Sequence, residues 1–119
     1  MSLIAQISPD QLAAWFAQDT AVPVAESRPI LLDVREPWEL QTASVQPDGF
    51  TLVAIPMNEI PARLAELDAS QRIACLCHHG ARSQRVAMFL AQHGFPDIAN
   101  VSGGIDAWLA RHDPAVPRY

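Results

Sequence analysis

The stretch with the clearest chemical potential is residues 77–83, which read Cys-His-His-Gly-Ala-Arg-Ser. A cysteine ends an apolar segment, a short polar loop with a glycine follows, and a helix-forming segment begins after the loop. The N–H groups of such a loop, together with the free N–H groups of a helix start, form a cradle for anions. A thiol at the centre of that cradle is favoured as the thiolate, the nucleophilic form of cysteine. We therefore expect Cys77 to be a nucleophile, open to solvent at the edge of a sheet.

The other side chains of this loop are predicted to support Cys77. His78 and His79 are expected at the pocket mouth, where a protonated imidazole favours anionic substrates. Gly80 allows a positive φ or a close approach of the backbone to substrate. Arg82 is expected to attract the anionic end of a substrate, the alternative being a solvated charge at the helix start. Ser83 is expected to cap the helix and, secondarily, to hydrogen-bond the sulfur.

The two cysteines of the chain lie one residue apart, at positions 75 and 77. A disulfide between such near neighbours is strained and closes almost no loop, so a stabilising bridge is not expected. Cys75 is predicted to be buried one step deeper in the same strand, with an accessory thiol role left open. A metal site built from Cys75, Cys77, His78 and His79 is not predicted, because consecutive residues point in different directions and no second ligand pair has zinc-site spacing.

The segments around the loop predict an α/β fold. Four short apolar runs, residues 30–34, 52–55, 73–77 and 98–101, are typical of strands buried on both faces of a parallel sheet. Between them lie segments that predict helices: one from Ser8 to about Asp19, a short one from Glu36, one capped by Asn58, one over residues 83–93 that ends at Gly94, and one over residues 104–111. Strands that alternate with helices indicate a mainly parallel sheet with helices on both faces.

Composition and charge restrict the class of protein. The chain has 119 residues, 50% of them hydrophobic and 18% charged, which is typical of one globular domain over residues 1–119, with a core over about 4–111 and a tail over 112–119. The formal net charge of −5 provides no basic surface, so neither nucleic acid nor an anionic membrane is an expected partner. The apolar runs are far shorter than a membrane span, and residues 1–6 lack the pattern of a signal peptide. We therefore expect a cytoplasmic location.

The loop and its flanking segments resemble one known family. In rhodanese-like domains the active-site cysteine is followed by a glycine and then by Arg-Ser, as in residues 77–83 here. Further matches occur in the family's order over roughly residues 4–108: Asp33-Val34-Arg35 followed by Trp38 and Glu39, then Ile55-Pro56, then Gly103-Gly104 with Trp108. The resemblance implies an α/β fold, with a mainly parallel five-stranded sheet flanked by helices on both faces. Residues 43–50 depart from the Gly-His-Ile-Pro-Gly-Ala segment of many members, which bears on substrate preference.

The resemblance also implies an activity. Cys77 would take the outer sulfur of a donor such as thiosulfate as a persulfide and pass it to cyanide, a thiol or a protein cysteine, without a cofactor. The sulfur anion would be stabilised by the N–H groups of the loop residues His78, His79, Gly80, Ala81, Arg82 and Ser83. Asp33 and Arg35, at the same edge of the sheet, would support the loop through a shared hydrogen-bond network; the alternative is a helix-capping Asp and an exposed Arg.

Two other functions stay open from the sequence. The first is a sulfur-carrier or interaction module without independent turnover, which a small acidic domain suits equally well. The second is a phosphatase or arsenate reductase of the same fold, which needs five residues between cysteine and arginine. Only four separate Cys77 from Arg82, and the position of the phosphatase arginine is Ser83. A phosphoryl group would therefore lose its bidentate arginine, and the spacing favours sulfur transfer.

Overall fold

Five short strands form one parallel sheet in the computed structural model, which describes residues 4–17, 29–43, 50–69 and 71–112. The strands are β1 (Ala5–Ile7), β2 (Ile30–Asp33), β3 (Thr51–Ala54), β4 (Ile73–Leu76) and β5 (Ile98–Val101). Their order across the sheet is β1-β5-β4-β2-β3, and every neighbouring pair is parallel. The predicted α/β class with a parallel five-stranded sheet is therefore confirmed.

Within the described ranges, three α-helices lie between strands and a fourth follows β5. They are α1 (Leu12–Phe16), α2 (Pro37–Thr42), α3 (Ala81–Gln92) and α4 (Gly104–His112). The predicted start of the first helix is confirmed, because the Ser8 N–H donates to Gln11 Oε1 at 3.0 Å and a 3-10 turn, Pro9–Gln11, leads into α1. The predicted end of α3 is also confirmed: Gly94 has φ +90°, and the Phe95 N–H returns to the Leu90 carbonyl at 3.1 Å.

The core has two parts, one on each face of the sheet. On one face, side chains of α3 such as Val86 and Leu90 pack on inward-facing strand residues that include Leu32 and Cys75. On the other face, Leu12 and Trp15 of α1 and Ile105 of α4 complete the second cluster. All four residues of β2 and all four of β4 are buried, as continuous apolar strands require when both faces are covered. Because β4 is the third of the five strands across the sheet, its carboxyl end lies in the middle of the sheet edge.

Two elements differ from the sequence predictions. Strand β1 was not predicted separately, because Ala5 and Gln6 are exposed and Ile7 alone is buried, so its three residues form no apolar run. The helix predicted from Asn58 was wrong: the segment forms two 3-10 turns, Met57–Glu59 and Leu64–Glu66. Bonds to the residue three positions earlier hold these turns, from the Ile60 N–H to the Met57 carbonyl at 3.3 Å and from the Leu67 N–H to the Leu64 carbonyl at 3.1 Å, so the backbone is wound more tightly than an α-helix.

Some predictions fall on residues outside the described ranges. These are the end of the first helix near Asp19, residues 44–49 of the divergent 43–50 loop, and the tail beyond α4. Within the described ranges, no helix has both the length and the apolar character needed to cross a bilayer.

Candidate active site

Cys77 follows β4 directly, at the centre of the carboxyl edge of the sheet. Strands β2 and β5 flank β4, so their carboxyl ends border the same loop. The loop ends at Gly80, the N-cap of α3, whose φ of +108° lies in the left-handed region that glycine adopts without a Cβ clash. The predicted sequence of strand, tight loop and helix is therefore present, with α3 beginning at Ala81 rather than Ser83.

Two groups that can donate hydrogen bonds lie beside the Cys77 sulfur, one in the loop and one in the first turn of α3. The Gly80 N–H lies 3.0 Å from Sγ, and Ser83 Oγ lies 3.3 Å from it. Ser83 is itself buried, on the inner face of the first turn of α3. A backbone amide and a hydroxyl directed at one sulfur can stabilise negative charge on that atom.

The burial of Cys77 differs from the expectation. The residue is only 1% exposed and belongs to the core cluster that contains Val34, Ile55 and Val86. The expectation of a thiol open to solvent is therefore wrong for this conformation, because Cys77 packs among side chains of several neighbouring elements. A substrate can reach Sγ only when residues around it move apart.

Cys75 is a core thiol, as predicted. Its side chain is fully buried, on the same face of the sheet as Cys77. Burial, reinforced by the neighbouring Cys77, raises the pKa of the Cys75 thiol far above its ordinary value near 9. Cys75 thus stays protonated and unreactive at neutral pH.

The start of α4 fixes the carbonyl groups of the loop. The Ile105 N–H donates to the Cys77 carbonyl at 2.8 Å, and the Asp106 N–H donates to the His78 carbonyl at 3.2 Å. Gly104 permits this contact: its φ is +60°, and a Cβ there would lie 2.3 Å from the Cys77 carbonyl oxygen. Because these carbonyls are directed at α4, the loop can turn amide groups toward the sulfur. The Gly103-Gly104 pair is part of the family resemblance, but its role was not predicted from the sequence.

Arg82 is bound by the carboxylate of Glu39, a contact that was not predicted from the sequence. Its two terminal nitrogens lie 2.6 and 2.7 Å from the Glu39 carboxylate oxygens, a bidentate ion pair. Glu39 is 2% exposed and also accepts the Glu36 N–H at 3.0 Å, in the capping box of α2. The acidic residue three positions after Glu36 was the available sequence signal for the cap. The ion pair connects α2 to the first turn of α3.

Asp33 and Arg35 form a buried bidentate pair at the end of β2. The Arg35 Nε and Nη2 groups lie 2.8 and 2.7 Å from the Asp33 carboxylate oxygens, and Nη1 donates to the Glu39 carbonyl at 3.2 Å. Both residues are about 1% exposed or less, so the alternative of an exposed arginine is wrong. Through Glu39 this pair is connected to Arg82 and thus to the loop.

The two histidines of the loop stack on one another. Their ring centroids are 3.9 Å apart; His79 is exposed and His78 is half-buried. His79 also lines an open groove of about 360 Å³ together with Gly80, Gln6 and Gln84. Cys77 is not among the residues that line this groove. In the described part of the chain, no three His, Cys, Asp or Glu side chains converge as metal ligands would.

Comparisons with known proteins agree with this architecture. The family model of the rhodanese-like domain matches residues 8–111. A protein named sulfurtransferase from Allochromatium vinosum is 37% identical over 83 residues, which cover 70% of this chain and 73% of that protein. The chloroplastic rhodanese-like/PpiC domain-containing protein 12 of Arabidopsis thaliana is 35% identical over 101 residues; they cover 82% of this chain, which thus spans only about a third (32%) of that protein.

A solved structure is similar over nearly the whole chain. The crystal structure of a rhodanese-related protein from Thermoplasma volcanium superimposes with a TM-score of 0.70 at 29% identity and covers 91% of this chain and 93% of the other. Fold, loop and family model therefore agree over one continuous region. The chain belongs to the rhodanese-like domain family.

Proposed function

We propose that the chain is a sulfurtransferase that moves sulfane sulfur from a small anionic donor, such as thiosulfate, to a thiophilic acceptor through a persulfide on Cys77. The observation that carries the proposal is the convergence of the Gly80 N–H and the Ser83 hydroxyl on Cys77 Sγ, at the end of the central strand. The relative from A. vinosum that is named a sulfurtransferase supports the same class of reaction.

The reaction divides one transfer into two displacements at sulfur. In the first, the Cys77 thiolate, having released its proton to solvent, attacks the outer sulfur of thiosulfate. A new S–S bond forms, and the S–S bond of the donor breaks with its electron pair leaving on sulfite. In the second, cyanide, a thiol or a protein cysteine attacks the outer persulfide sulfur, and the thiolate of Cys77 departs. Both steps place negative charge near Gly80 and Ser83, and neither requires a cofactor.

Access to Cys77 requires an opening step, because the residue is 1% exposed. The closed conformation then excludes water from the sulfur anion and strengthens the hydrogen bonds directed at it. In this proposal Arg82 acts mainly through its ion pair with Glu39, which places the first turn of α3 against the sulfur. Asp33 and Arg35 support Glu39 from behind. The free thiols of Cys75 and Cys77 suit a reducing compartment such as the cytoplasm.

A second candidate is a sulfur-carrier module that reacts only when a partner protein opens it. The burial of Cys77 favours this alternative, since small donors would then meet a closed site. A phosphatase is disfavoured by the short loop and by the engagement of Arg82 with Glu39, because the terminal nitrogens that would clamp a phosphoryl group already hold a carboxylate.

The test is the intact mass of the reduced chain after incubation with thiosulfate. We expect a gain of one sulfur atom that cyanide removes as thiocyanate. Cys77→Ser should show no gain, whereas the matched variant Cys75→Ser should gain the sulfur normally because Cys75 is a buried core thiol. A Cys77→Ser chain that still forms thiocyanate at the original rate would refute the proposal. An adduct on Cys77 without multiple turnovers would support the carrier alternative.

A further inference from the structure

We propose that Asn100 is a positioning residue that controls where the Ser83 hydroxyl donates its proton, and thereby how readily that hydroxyl stabilises a sulfur anion on Cys77. The inference rests on the proposed function, in which Cys77 carries sulfur. Three acceptors lie within reach of Ser83 Oγ: Cys77 Sγ at 3.3 Å, the Gly80 carbonyl at 3.2 Å and Asn100 Oδ1 at 2.5 Å. A hydroxyl has one proton, so it can donate to only one of them at a time.

Two main-chain carbonyl groups determine which way the Asn100 amide points. Asn100 Nδ2 lies 3.3 Å from the Gly80 carbonyl, which can only accept. Nδ2 also lies 2.9 Å from Gln6 Oε1, and the Gln6 Nε2 group donates to the Ile4 carbonyl at 3.3 Å, so the Gln6 oxygen faces Asn100. Both partners of Nδ2 are therefore acceptors. If the Asn100 amide were flipped, its oxygen would face the Gly80 carbonyl oxygen and Gln6 Oε1 with no hydrogen between them. Asn100 Oδ1 must therefore face Ser83.

This polarity defines the resting direction of the Ser83 hydroxyl. Its shortest contact is to Asn100 Oδ1, so its proton lies there and its oxygen lone pairs face Cys77. In that arrangement Ser83 Oγ can accept a hydrogen bond from the Cys77 S–H but does not stabilise the thiolate. When the sulfur becomes anionic, the Ser83 O–H must rotate about the Cβ–Oγ bond to donate to sulfur. Asn100 Oδ1 then loses its hydrogen bond from Ser83, and no covalent bond changes.

Because the site is buried, Cys77 Sγ and Asn100 Oδ1 compete directly for the Ser83 proton. Ser83 is fully buried, so water does not readily reach its hydroxyl, and Asn100 is only 3% exposed where it borders the open groove. A stronger acceptor at position 100 would hold the proton away from sulfur. Removal of the acceptor would release the proton to sulfur. Opposite changes at position 100 should therefore move the ionisation of Cys77 in opposite directions.

The test is the pH profile of Cys77 alkylation by iodoacetamide in the reduced full chain, with the modified cysteine identified by peptide mass. Asn100→Ala should displace the profile to lower pH, with alkylation about threefold faster on its acidic limb. Asn100→Asp should displace it to higher pH, with alkylation about tenfold slower there, because a carboxylate accepts more strongly and adds negative charge. Alkylation uses no sulfur donor, so this result is independent of whether Cys77 carries sulfur.

Other ionisable groups lie on the elements packed around Cys77, and these variants leave them unchanged. They are Cys75 on β4, His78 in the loop, Asp33 and Arg35 at the end of β2, Glu39 on α2, Arg82 on α3 and Asp106 on α4. The control variant is Gln92→Ala, at an exposed position at the far end of α3. Its pH profile of Cys77 alkylation should equal that of the unsubstituted chain.

The dependence on Ser83 separates positioning from general damage to the site. In a Ser83→Ala background, Asn100→Ala should no longer displace the profile. If the Asn100 variants fail to fold, Gln6→Ala at the exposed rim is informative: it loosens the Asn100 amide and should shift the profile in the direction of Asn100→Ala, by less. Three results would overturn the inference. They are pH profiles of both Asn100 variants displaced in the same direction, an Asn100→Ala shift that persists in the Ser83→Ala background, and no shift in any folded variant.

Discussion

Gly104→Ala should disable the site through a backbone collision. A Cβ at Gly104 would lie 2.3 Å from the Cys77 carbonyl oxygen and 2.5 Å from the His78 carbonyl oxygen. Both contacts are to main-chain atoms, which cannot rotate away as a flexible side chain can. Restoring an ordinary contact of 3.4 Å to the nearer oxygen requires a displacement of 3.4 minus 2.3, or about 1 Å, between α4 and the Cys77 loop.

That displacement sets the expected magnitudes. Alanine at φ +60° costs about 1–2 kcal/mol for its left-handed backbone. Loss of the hydrogen bond from the Ile105 N–H to the Cys77 carbonyl adds about 1 kcal/mol. We therefore expect the free energy of unfolding to fall by about 2–3 kcal/mol. A 1 Å misplacement of groups that must converge on a reacting atom lowers rates by about a hundredfold. Sulfur transfer to cyanide should fall by that factor.

Gly94→Ala is the matched control. Its φ of +90° imposes a similar backbone cost, but among the described atoms none lies within 4 Å of a Cβ at that position. Urea unfolding should therefore show a loss of about 1–2 kcal/mol for Gly94→Ala, with sulfur transfer within about twofold of the original rate. Both variants should be assayed at a temperature where circular dichroism shows a folded chain. Sulfur transfer by Gly104→Ala that equals that of Gly94→Ala would refute the reasoning.

Two further predictions concern buried charge and pH. Glu39→Gln replaces the carboxylate that pairs with Arg82 by a neutral amide and should lower the free energy of unfolding by about 2–3 kcal/mol and sulfur transfer about tenfold, measured by urea unfolding and thiocyanate formation. In an Arg82→Gln background the same substitution should cost less, and an equal loss in both backgrounds would contradict the pairing. Burial raises the pKa of Cys75 in the folded state, so the unfolded chain alone ionises this thiol above about pH 9. Stability is therefore fully present below about pH 9 and should decline above it by up to about 1.4 kcal/mol per pH unit; Cys75→Ala should flatten this slope, and an unchanged slope would contradict the assignment.

The central part of the fold could be predicted because its signals are local. The apolar run of β4, the glycine of the loop and the apolar spacing of α3 lie within 20 residues of one another. Each is a short-range property of the chain: continuous burial for a strand, a left-handed residue at Gly80, and a helical period from Val86 to Leu90. The placement of Cys77 at the end of a central strand follows from them.

The partners of the loop could not be predicted, since they come from distant segments. Glu39 lies 43 residues from Arg82, and Asn100, on β5, lies 17 residues beyond Ser83 of α3. Their alignment depends on how β2, β4 and β5 are ordered in the sheet, and a single sequence does not state this order. The burial of Cys77 was missed for the same reason, because it arises from side chains of several elements closing over one position.

The burial of Cys77 has two opposite effects on the proposed reaction, one on the stability of the persulfide and one on access to it. With Cys77 1% exposed, the amide of Gly80 and the hydroxyl of Ser83 act on the sulfur without competition from water, which favours a persulfide once it has formed. The same closure obstructs both the donor that must deliver sulfur and the acceptor that must remove it. Transfer therefore needs both the closed arrangement, which stabilises the sulfur anion, and an opening that admits the donor and the acceptor. The contacts that hold the loop, from α4 to the carbonyl of Cys77 and from Glu39 to Arg82, are then expected to set the rate of transfer as well as the stability of the fold.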